Sequence, residues 1–292
     1  MSSQSINVEQ LQKEVLELQD IGFLLPEDTV KRIRTNFYQS ETWAEVFWRR
    51  RQRHASREDP EIPFVFEHNP QTILEIGSAY GRVLRKLAEI NQNRSLKAEL
   101  TGIELCQHFK SYFQQYSQVY PSLQFCNMIY NDFFGTNALK DHSFDIILLP
   151  MNTFAGFPFG FIDTLFKKIK QYLSPKGLWI FSNYKLPQDK PLQWRKGYSG
   201  DLLVEIGQGS IALEIYNLEA TETQYGMSAV TYMCYNKLTR QYKLKKREIF
   251  RTVNELIRPN FLKQLLEDNN FTIELFDDSS HSYVYGLASN SL

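Results

Sequence analysis

The sequence is poor in cysteine and carries no excess of charge of either sign. Three of the 292 residues are cysteines (Cys106, Cys126 and Cys234), and their spacing matches no pattern of metal ligands. We therefore expect no metal site, and free thiols in a reducing compartment rather than a disulfide framework. The 33 basic and 33 acidic residues cancel, which argues against a dedicated surface for nucleic acid or for an anionic membrane.

Long hydrophobic runs and a signal peptide are also missing from the sequence. The most apolar region, residues 146–161, is interrupted by Pro150, Gly156 and Pro158, so it does not form a continuous membrane helix. The opening residues Met1-Ser-Ser-Gln-Ser lack the basic and then apolar pattern of a signal peptide. These features predict a cytoplasmic protein with no membrane partner, and they leave the oligomeric state open.

One stretch, Thr72-Ile-Leu-Glu-Ile-Gly-Ser-Ala-Tyr-Gly81, combines a short apolar strand with a glycine turn. Apolar residues at helical spacing follow it, so the turn opens a helix. Such a turn brings backbone N–H groups and a positive dipole end close to a ligand, at the carboxyl end of a parallel sheet. Glu75 lies within the strand, where a carboxylate repels a phosphate group and attracts an ammonium group. The glycine spacing also fails the G-x-G-x-x-G pattern for a pyrophosphate.

The stretch resembles the acid-x-Gly-x-Gly-x-Gly motif of class I S-adenosylmethionine-dependent methyltransferases, with Ala79 in place of the middle glycine. This replacement is mild provided that φ of Ala79 stays negative. The resemblance covers roughly residues 72–184 and implies S-adenosyl-L-methionine as the cofactor. It places Glu75 at the methionine end of the cofactor, next to a loop made of Gly77, Ser78, Ala79 and Gly81.

Two later strand ends also carry acids. Leu100-Thr-Gly-Ile-Glu104 ends in an acid about twenty residues beyond the turn, where a carboxylate accepts hydrogen bonds from both ribose hydroxyls. In the methyltransferase family, an Asp and an apolar residue after the third strand hold the adenine, and Asp132 and Phe133 match these positions. The resemblance thus implies Glu104, with Leu105 beside it, at the ribose. The alternatives are a solvated strand end for Glu104 and a helix N-cap for Asp132.

The order of elements predicts an α/β fold with a Rossmann-like, seven-stranded methyltransferase sheet. Strands over 144–150 and 178–181 are nearly all apolar, as expected for parallel strands that are covered on both faces. Strands over 271–276 and 282–288 are expected to close the mostly parallel sheet as an antiparallel hairpin. If residues 271–276 run parallel to the first five strands, their carboxyl end lies on the cofactor face.

Four segments are expected along the chain. Residues 1–66 are predicted to form an N-terminal helical cap, and residues 67–185 the cofactor-binding core. A change to strand-like alternation predicts an antiparallel β insert at 186–252, which contributes to the acceptor pocket. Residues 253–292 supply the C-terminal helix and the hairpin that completes the core sheet.

The sequence also favours one kind of methyl acceptor. Methyl transfer from a sulfonium is an in-line displacement, and orientation alone contributes about 7–11 kcal/mol to such a reaction. An amine acceptor needs only to be neutral, whereas a hydroxyl acceptor usually needs a base or a metal. We therefore predict a small-molecule acceptor with an amine or guanidine nitrogen. The alternatives are a small-molecule O-methyltransferase of natural-product type, with His281 as the base, and a non-catalytic cofactor-binding interaction module.

Candidate residues at the reacting centre lie in the loop after the fourth strand, because such loops face the ligand in parallel sheets. Pro150 is expected at the cofactor, Asn152 is expected to position the acceptor, and Phe154 is expected to line the acceptor pocket. Packing beneath the helical cap is the alternative for the loop residues.

Further candidates lie at the two ends of the chain. Aromatic rings stabilise a sulfonium or ammonium by roughly 0.5–2 kcal/mol each, which makes Tyr38 a candidate for cofactor or acceptor contact and Trp43 a candidate for acceptor contact. Helix packing is the alternative for Trp43. Asp277 and Asp278 are candidates for holding a cationic substrate, with solvated turn acids as the alternative.

Overall fold

The computed structural model describes most of the residues between 59 and 184 and several later segments. They are 59, 61–150, 153, 154, 157, 162–184, 203–206, 210–213, 225–236, 241–253, 259–277 and 283–290, with 39, 41, 44, 45, 47 and 48 near the start of the chain. The chain divides into two compact units. One comprises Arg57–Asp189 and Glu255–Leu292, and the other comprises Met1–Ser56 and Lys190–Asn254.

The described elements alternate between strands and helices in the first half of the chain. In chain order they are α1 (Ile62–Val65), β1 (Thr72–Ile76), α2 (Arg82–Asn93), β2 (Glu99–Glu104), α3 (Phe109–Val119), a 3-10 helix (Pro121–Phe125), β3 (Cys126–Tyr130), β4 (Phe144–Leu149), α4 (Ile162–Tyr172), β5 (Leu173–Tyr184), β6 (Leu203–Ile206), β7 (Ser210–Leu213), β8 (Tyr225–Asn236), β9 (Gln241–Val253), α5 (Pro259–Asp268), β10 (Phe271–Asp277) and β11 (Tyr283–Asn290).

The first unit is built on a seven-stranded sheet in the order β10-β11-β5-β4-β1-β2-β3. Strands β1 to β5 run parallel, and β11 is antiparallel to both β5 and β10. Strand β10 therefore runs parallel to β1–β5, and its carboxyl end at Asp277 lies on the same edge as theirs. This arrangement confirms the predicted fold, including the antiparallel C-terminal hairpin.

The core of this unit lies on both faces of the central strands. Ile73 and Leu74 of β1 and Ile146 and Ile147 of β4 have no exposed surface, as expected for parallel strands that helices cover on both sides. The buried face of α2 contributes Leu84 and other apolar residues to the same core. Burial of these side chains stabilises the sheet that positions the strand ends.

Asp145 joins three strands at the amino end of the sheet. Its Oδ2 accepts hydrogen bonds from the backbone N–H groups of Gln71 at 2.8 Å and Thr72 at 3.2 Å. Its Oδ1 accepts a hydrogen bond from the Ser174 hydroxyl at 3.1 Å. Both carboxylate oxygens of this half-buried acid are thus engaged by protein donors, which ties β4 to the starts of β1 and β5.

The second unit contains two antiparallel strand pairs, β6 with β7 and β8 with β9. These pairs lie within or next to the predicted insert, and a contribution of the insert to the acceptor pocket stays a prediction. Among the helices that the structure describes, none has the length and apolar character needed to cross a membrane.

Candidate functional site

The turn between β1 and α2 is held tightly against β2 and the loop after β4. The backbone N–H groups of Gly77 and Ser78 donate to the Ile103 carbonyl at 2.9 and 3.2 Å. Gly77 has a φ of 77°, and a Cβ at this position would lie 2.9 Å from Cγ2 of Thr153. Gly81 has a φ of 84°, and a Cβ there would lie 2.8 Å from the ring of Phe113. Both glycines are therefore required by backbone conformation and by space.

Ala79 lies in the same turn and adopts the left-handed conformation, with a φ of 49°. The condition under which the replacement of glycine would be mild, a negative φ, is therefore not met. A Cβ in this region costs roughly 1–2 kcal/mol. The Ala79 backbone N–H donates to Oε2 of Glu104 at 2.7 Å, which fixes the turn against the end of β2.

Glu104 is 8% exposed, so it is a buried acid rather than a solvated strand end. Its Oε1 accepts a hydrogen bond from the Cys106 backbone N–H at 2.8 Å. Burial raises the pKa of Glu104, while hydrogen bonds from the backbone N–H groups of Cys106, Ala79 and Leu105 oppose that rise. Each carboxylate oxygen has two lone pairs, so the side chain retains the capacity to accept from ligand hydroxyls. The predicted roles of Glu104 and Leu105 at the ribose stay predictions.

Glu75 is the most deeply buried acid of the turn, with 2% exposure. Its Oε2 has no hydrogen-bond partner among the residues that the structure describes. Burial raises the pKa of Glu75 to about 8; the positive charge of Arg82 opposes this rise, and the negative charges of Asp59 and Glu104 add to it. The carboxyl group is thus mainly protonated at neutral pH and lacks a partner for one of its oxygens.

An ion cluster beside Glu75 was missed by the sequence analysis. Oδ2 of Asp59 accepts from Nη1 of Arg82 at 2.6 Å and from Nζ of Lys86 at 2.5 Å, and the Asp59 side chain has no exposed surface. Burial alone would raise the pKa of Asp59, but the two cations hold it below its ordinary value. The sequence held one signal, since Arg82 places a cation at the first residue of a helix, where the dipole disfavours it.

A second missed acid, Glu61, lies at the carboxyl end of β5. Its side chain is fully buried, and Oε1 accepts a hydrogen bond from the Ser182 hydroxyl. Because Leu149 pairs with Phe181, Ser182 lies level with Pro150 at the end of β4. Glu61 thus lies on the same edge of the sheet as Glu75 and Glu104. No local sequence pattern indicated this contact, since 121 residues separate its two members.

No protein-family model and no curated protein matches the sequence. Solved structures do match it. The CcbJ methyltransferase from Streptomyces caelestis superposes with a TM-score of 0.56 at 14% identity, over 75% of this chain and 89% of that chain. An S-adenosylmethionine-dependent methyltransferase from Clostridium acetobutylicum ATCC 824 gives a TM-score of 0.54 at 14% identity, over 79% of this chain and 89% of that chain. The glycopeptide N-methyltransferase MtfA, in complex with (S)-adenosyl-L-homocysteine, gives a TM-score of 0.51 at 12% identity, over 79% of this chain and 85% of that chain.

The chain has the class I methyltransferase fold. The order and directions of its seven strands and the similarity to these structures agree on this point. In this methyltransferase fold, the turn with Gly77 and Gly81 lies at the carboxyl end of β1, where open parallel sheets bind their ligands.

The residues predicted at the adenine occupy different environments in this methyltransferase fold. Asp132 is exposed, and its Oδ1 accepts from the Phe134 backbone N–H at 3.0 Å. No helix begins here in the fully described stretch 131–143, so the N-cap alternative for Asp132 is wrong. Phe133 is 5% exposed, and its ring packs against Phe134 and Tyr172. Phe134 is half-buried, and its ring also lies 5.5 Å from that of Phe157. The adenine contacts of Asp132 and Phe133 stay predictions.

The loop after β4 supplies packing as well as a support for the glycine turn. Phe154 is fully buried, and its ring lies 5.6 Å from that of Trp179 and 5.9 Å from that of Phe166. This position favours core packing over the predicted place in an acceptor pocket. Pro150 is buried, and its carbonyl accepts from the backbone N–H and the hydroxyl of Thr153 at 3.1 and 2.5 Å. Thr153, which sequence reasoning missed, thereby lies over Gly77.

The roles of the remaining candidate residues stay predictions. Asp277 is half-buried at the end of β10 and lies level with Ser182 across β11. Five predicted site residues lie outside the described residues: Tyr38, Trp43, Asn152, Asp278 and His281.

Proposed function

We propose that the chain is an S-adenosylmethionine-dependent methyltransferase that transfers a methyl group to a small molecule by in-line displacement. The observation that carries this proposal is the pair of buried carboxyl groups, Glu75 and Glu104, on adjacent parallel strands on either side of one glycine turn. A zwitterionic sulfonium nucleoside offers an ammonium group to the first and ribose hydroxyls to the second. The unpartnered Oε2 of Glu75 supports this fit, because a buried acceptor without a donor is stabilised when a ligand supplies one.

The proposed orientation of the cofactor follows the order of the strands. Neighbouring strands lie about 4.8 Å apart, so the ends of β1, β2 and β3 form a row on one edge of the sheet. The methionine portion is assigned to Glu75 at β1, the ribose to Glu104 at β2, and the adenine to the residues after β3. In that last position Asp132 is exposed and the ring of Phe134 is half-buried.

The residues of this chain contribute mainly binding and orientation to the proposed reaction. When bound, S-adenosylmethionine supplies an activated methyl group and accepts the electron pair of the breaking carbon–sulfur bond. Glu75 and Glu104 fix the two ends of the ligand chain that carries the sulfonium, and the Thr153 contact holds the turn that they flank. Such orientation contributes about 7–11 kcal/mol, so no strong acid–base pair is required for a neutral amine acceptor.

An amine or guanidine nitrogen is the preferred acceptor in this proposal. The support for it is that an amine needs only to be neutral when it attacks, whereas a hydroxyl usually needs a base or a metal. Glu61 lies on the side of the cofactor that is next to the ends of β4 and β5. The acceptor pocket is assigned to this side of the cofactor, next to the loop after β4. Asn152 and His281 remain predicted contributors to acceptor positioning and to base catalysis, respectively.

Calorimetric titration with S-adenosylhomocysteine tests the cofactor assignment directly. Glu104→Ala is expected to weaken binding by about 1–3 kcal/mol through the loss of hydrogen bonds to a charged group. Glu99→Ala is the matched control, because Glu99 is an exposed acid at the other end of the same strand. Equal affinity of wild type and Glu104→Ala would remove Glu104 from the ribose site, and absence of binding to wild type would remove the proposal itself.

Turnover assays separate the proposed activity from its alternatives. Wild-type protein is incubated with S-adenosylmethionine and matched panels of amines, guanidines and alcohols, and mass spectrometry detects methylated products. Products from the nitrogen panel support the proposal. Products from the alcohol panel, with a pH–rate profile that His281→Asn abolishes, would support the O-methyltransferase. Tight cofactor binding without any product would support the non-catalytic module.

A further inference from the structure

Arg82 binds one buried carboxyl group, Asp59, and acts electrostatically on a second, Glu75, and each of them has an oxygen without a hydrogen-bond donor among the described residues. Asp59 is 5% exposed and uses only Oδ2 for its two cations, while its Oδ1 has no partner among the described residues. Glu75 is 2% exposed, and its Oε2 also has no hydrogen-bond partner among the described residues. Arg82 donates to Asp59 and attracts Glu75, and the charge of Asp59 also acts on Glu75. The three side chains therefore form one local cluster, which we call the Asp59–Arg82–Glu75 cluster.

This cluster contains acceptors without donors and an arginine with further donors. Two buried carboxyl oxygens lack donors, and an ammonium group, with three N–H bonds, supplies them. Arg82 has five N–H donors, of which the described contacts engage Nη1. Gly81, the N-cap of α2, brings no side chain to the helix end, and the first turn of α2, which is fully described, contains no acidic residue. A carboxylate therefore fits at Arg82 and at the backbone N–H groups of this helix end.

We propose that Asp59 and Arg82 complete the subsite for the amino-acid portion of the cofactor. Oδ1 of Asp59 accepts from the ammonium group together with Glu75, and Arg82 donates to the carboxylate. This inference rests on the proposed function and extends it to a segment that precedes β1 and lies outside the glycine motif. It also explains why a fully buried aspartate from that segment is held against the first two turns of α2.

Two ligands that differ in the amino-acid portion test the inference. S-adenosylhomocysteine carries that portion, and 5′-methylthioadenosine lacks it while keeping the adenosine and the sulfur. Titration calorimetry measures both ligands against wild type and Asp59→Asn. We expect Asp59→Asn to weaken the binding of S-adenosylhomocysteine by roughly 10- to 100-fold, as for the loss of a charged hydrogen bond. Binding of 5′-methylthioadenosine is expected to change by less than about 2-fold.

The Arg85–Glu89 ion pair provides matched controls on the same helix. Nη1 of Arg85 binds Glu89 at 2.8 Å, one turn further along α2. Glu89→Gln is expected to leave the dissociation constants of both ligands unchanged. A loss of affinity by Asp59→Asn that is equal for the two ligands would overturn the inference, because it would make Asp59 a support of the whole fold. Failure of wild type to bind either ligand would instead reject the proposed function.

A second variant separates the two charges of the amino-acid portion of the ligand. Arg82→Met removes the proposed partner of the carboxylate and leaves Asp59 paired with Lys86. It is expected to weaken the binding of S-adenosylmethionine by roughly 10-fold or more. The affinity for decarboxylated S-adenosylmethionine, which lacks the carboxylate and keeps the ammonium and sulfonium groups, is expected to stay nearly unchanged. Arg85→Met is the control. Equal loss for both forms of the cofactor would exclude Arg82 as the partner of the carboxylate.

Discussion

The two ends of the sheet use buried or half-buried acids in opposite ways. At the amino end, Asp145 of β4 accepts three hydrogen bonds from protein donors, two from backbone N–H groups and one from a hydroxyl. At the carboxyl end of the neighbouring strand, Glu75 is more deeply buried and has an oxygen without a donor among the described residues. Asp145 thus joins strands, whereas Glu75 holds unused binding capacity. An acid that is buried without being satisfied is the stronger indicator of a ligand site.

The same contrast appears within a single strand. Glu99 at the start of β2 is exposed, while Glu104 at the end of β2 is buried and accepts from the backbone of the glycine turn. The two residues share a strand and a side-chain chemistry, so the difference comes from the edge on which each lies. The carboxyl edge of a parallel sheet is the edge that binds ligands in open α/β folds.

Removal of Asp145 tests the structural side of this comparison and has the largest expected effect. Asp145→Ala leaves three donors at the amino end without their partner, so the free energy of unfolding is expected to fall by about 3 kcal/mol. Chemical denaturation measures this change, with Glu99→Ala as a control that shifts stability by less than about 0.5 kcal/mol. Affinity for S-adenosylhomocysteine is expected to stay the same, and a parallel loss of affinity would contradict the assignment of Asp145 to folding alone.

Glu75→Gln tests the ligand-binding side of the comparison through its dependence on pH. The pKa of Glu75 rises from an ordinary value of 4.5 to about 8 in the folded protein. The unfolded chain therefore loses this proton first, and folded stability falls as the pH rises from about 5 to about 8. Glu75→Gln removes that fall, so its stability should equal that of wild type at low pH and exceed that of wild type above pH 8. Denaturation at a series of pH values measures the difference.

The same variant should bind ligand less well, which makes it the opposite of Asp145→Ala. An ammonium group bound to ionised Glu75 displaces the proton, so wild-type affinity for S-adenosylhomocysteine should rise with pH up to about 8. Glu75→Gln should lack this rise. Glu99→Gln serves as the control for both measurements. An affinity that is independent of pH in wild type would show that the ligand does not meet this carboxyl group.

The sheet and the positions of two site acids could be predicted because they follow from local patterns. The strand before Gly77 and the strand ending at Glu104 can each be recognised from a short apolar run in the sequence. Parallel pairing of the two strands then brings their carboxyl ends together. The C-terminal hairpin was predictable for the same reason. The direction of β10 was only a condition at the level of sequence, and the antiparallel pairing of β11 with both β5 and β10 establishes it.

Other features depend on contacts between distant segments and could not be predicted. Asp59 meets Arg82 across 23 residues, and no periodicity relates them. Phe154 follows a strand that ends at the site, but its ring turns into an aromatic cluster with Phe166 and Trp179. Burial of a loop residue is decided by the neighbouring elements, and the loop sequence does not encode it. The left-handed conformation of Ala79 likewise occurs where its backbone N–H meets Glu104, 25 residues further along the chain.

Ala79→Gly gives the smallest expected effect and separates strain in the turn from its binding capacity. Glycine removes the cost of a Cβ at a φ of 49°, roughly 1–2 kcal/mol, but the freer unfolded chain offsets about 0.4–1 kcal/mol of that gain. We expect a net rise of about 0.5 kcal/mol in the free energy of unfolding. Ala88→Gly, within α2, is the control, and its free energy of unfolding should fall by about 1 kcal/mol.

The same variant, Ala79→Gly, is expected to keep its affinity for ligand. Because the backbone N–H at residue 79 still reaches Glu104, affinity for S-adenosylhomocysteine should change by less than about 2-fold. A marked loss of affinity would mean that the Ala79 methyl group itself contacts the ligand, and the turn at the carboxyl end would then differ from the amino end in packing as well as in charge.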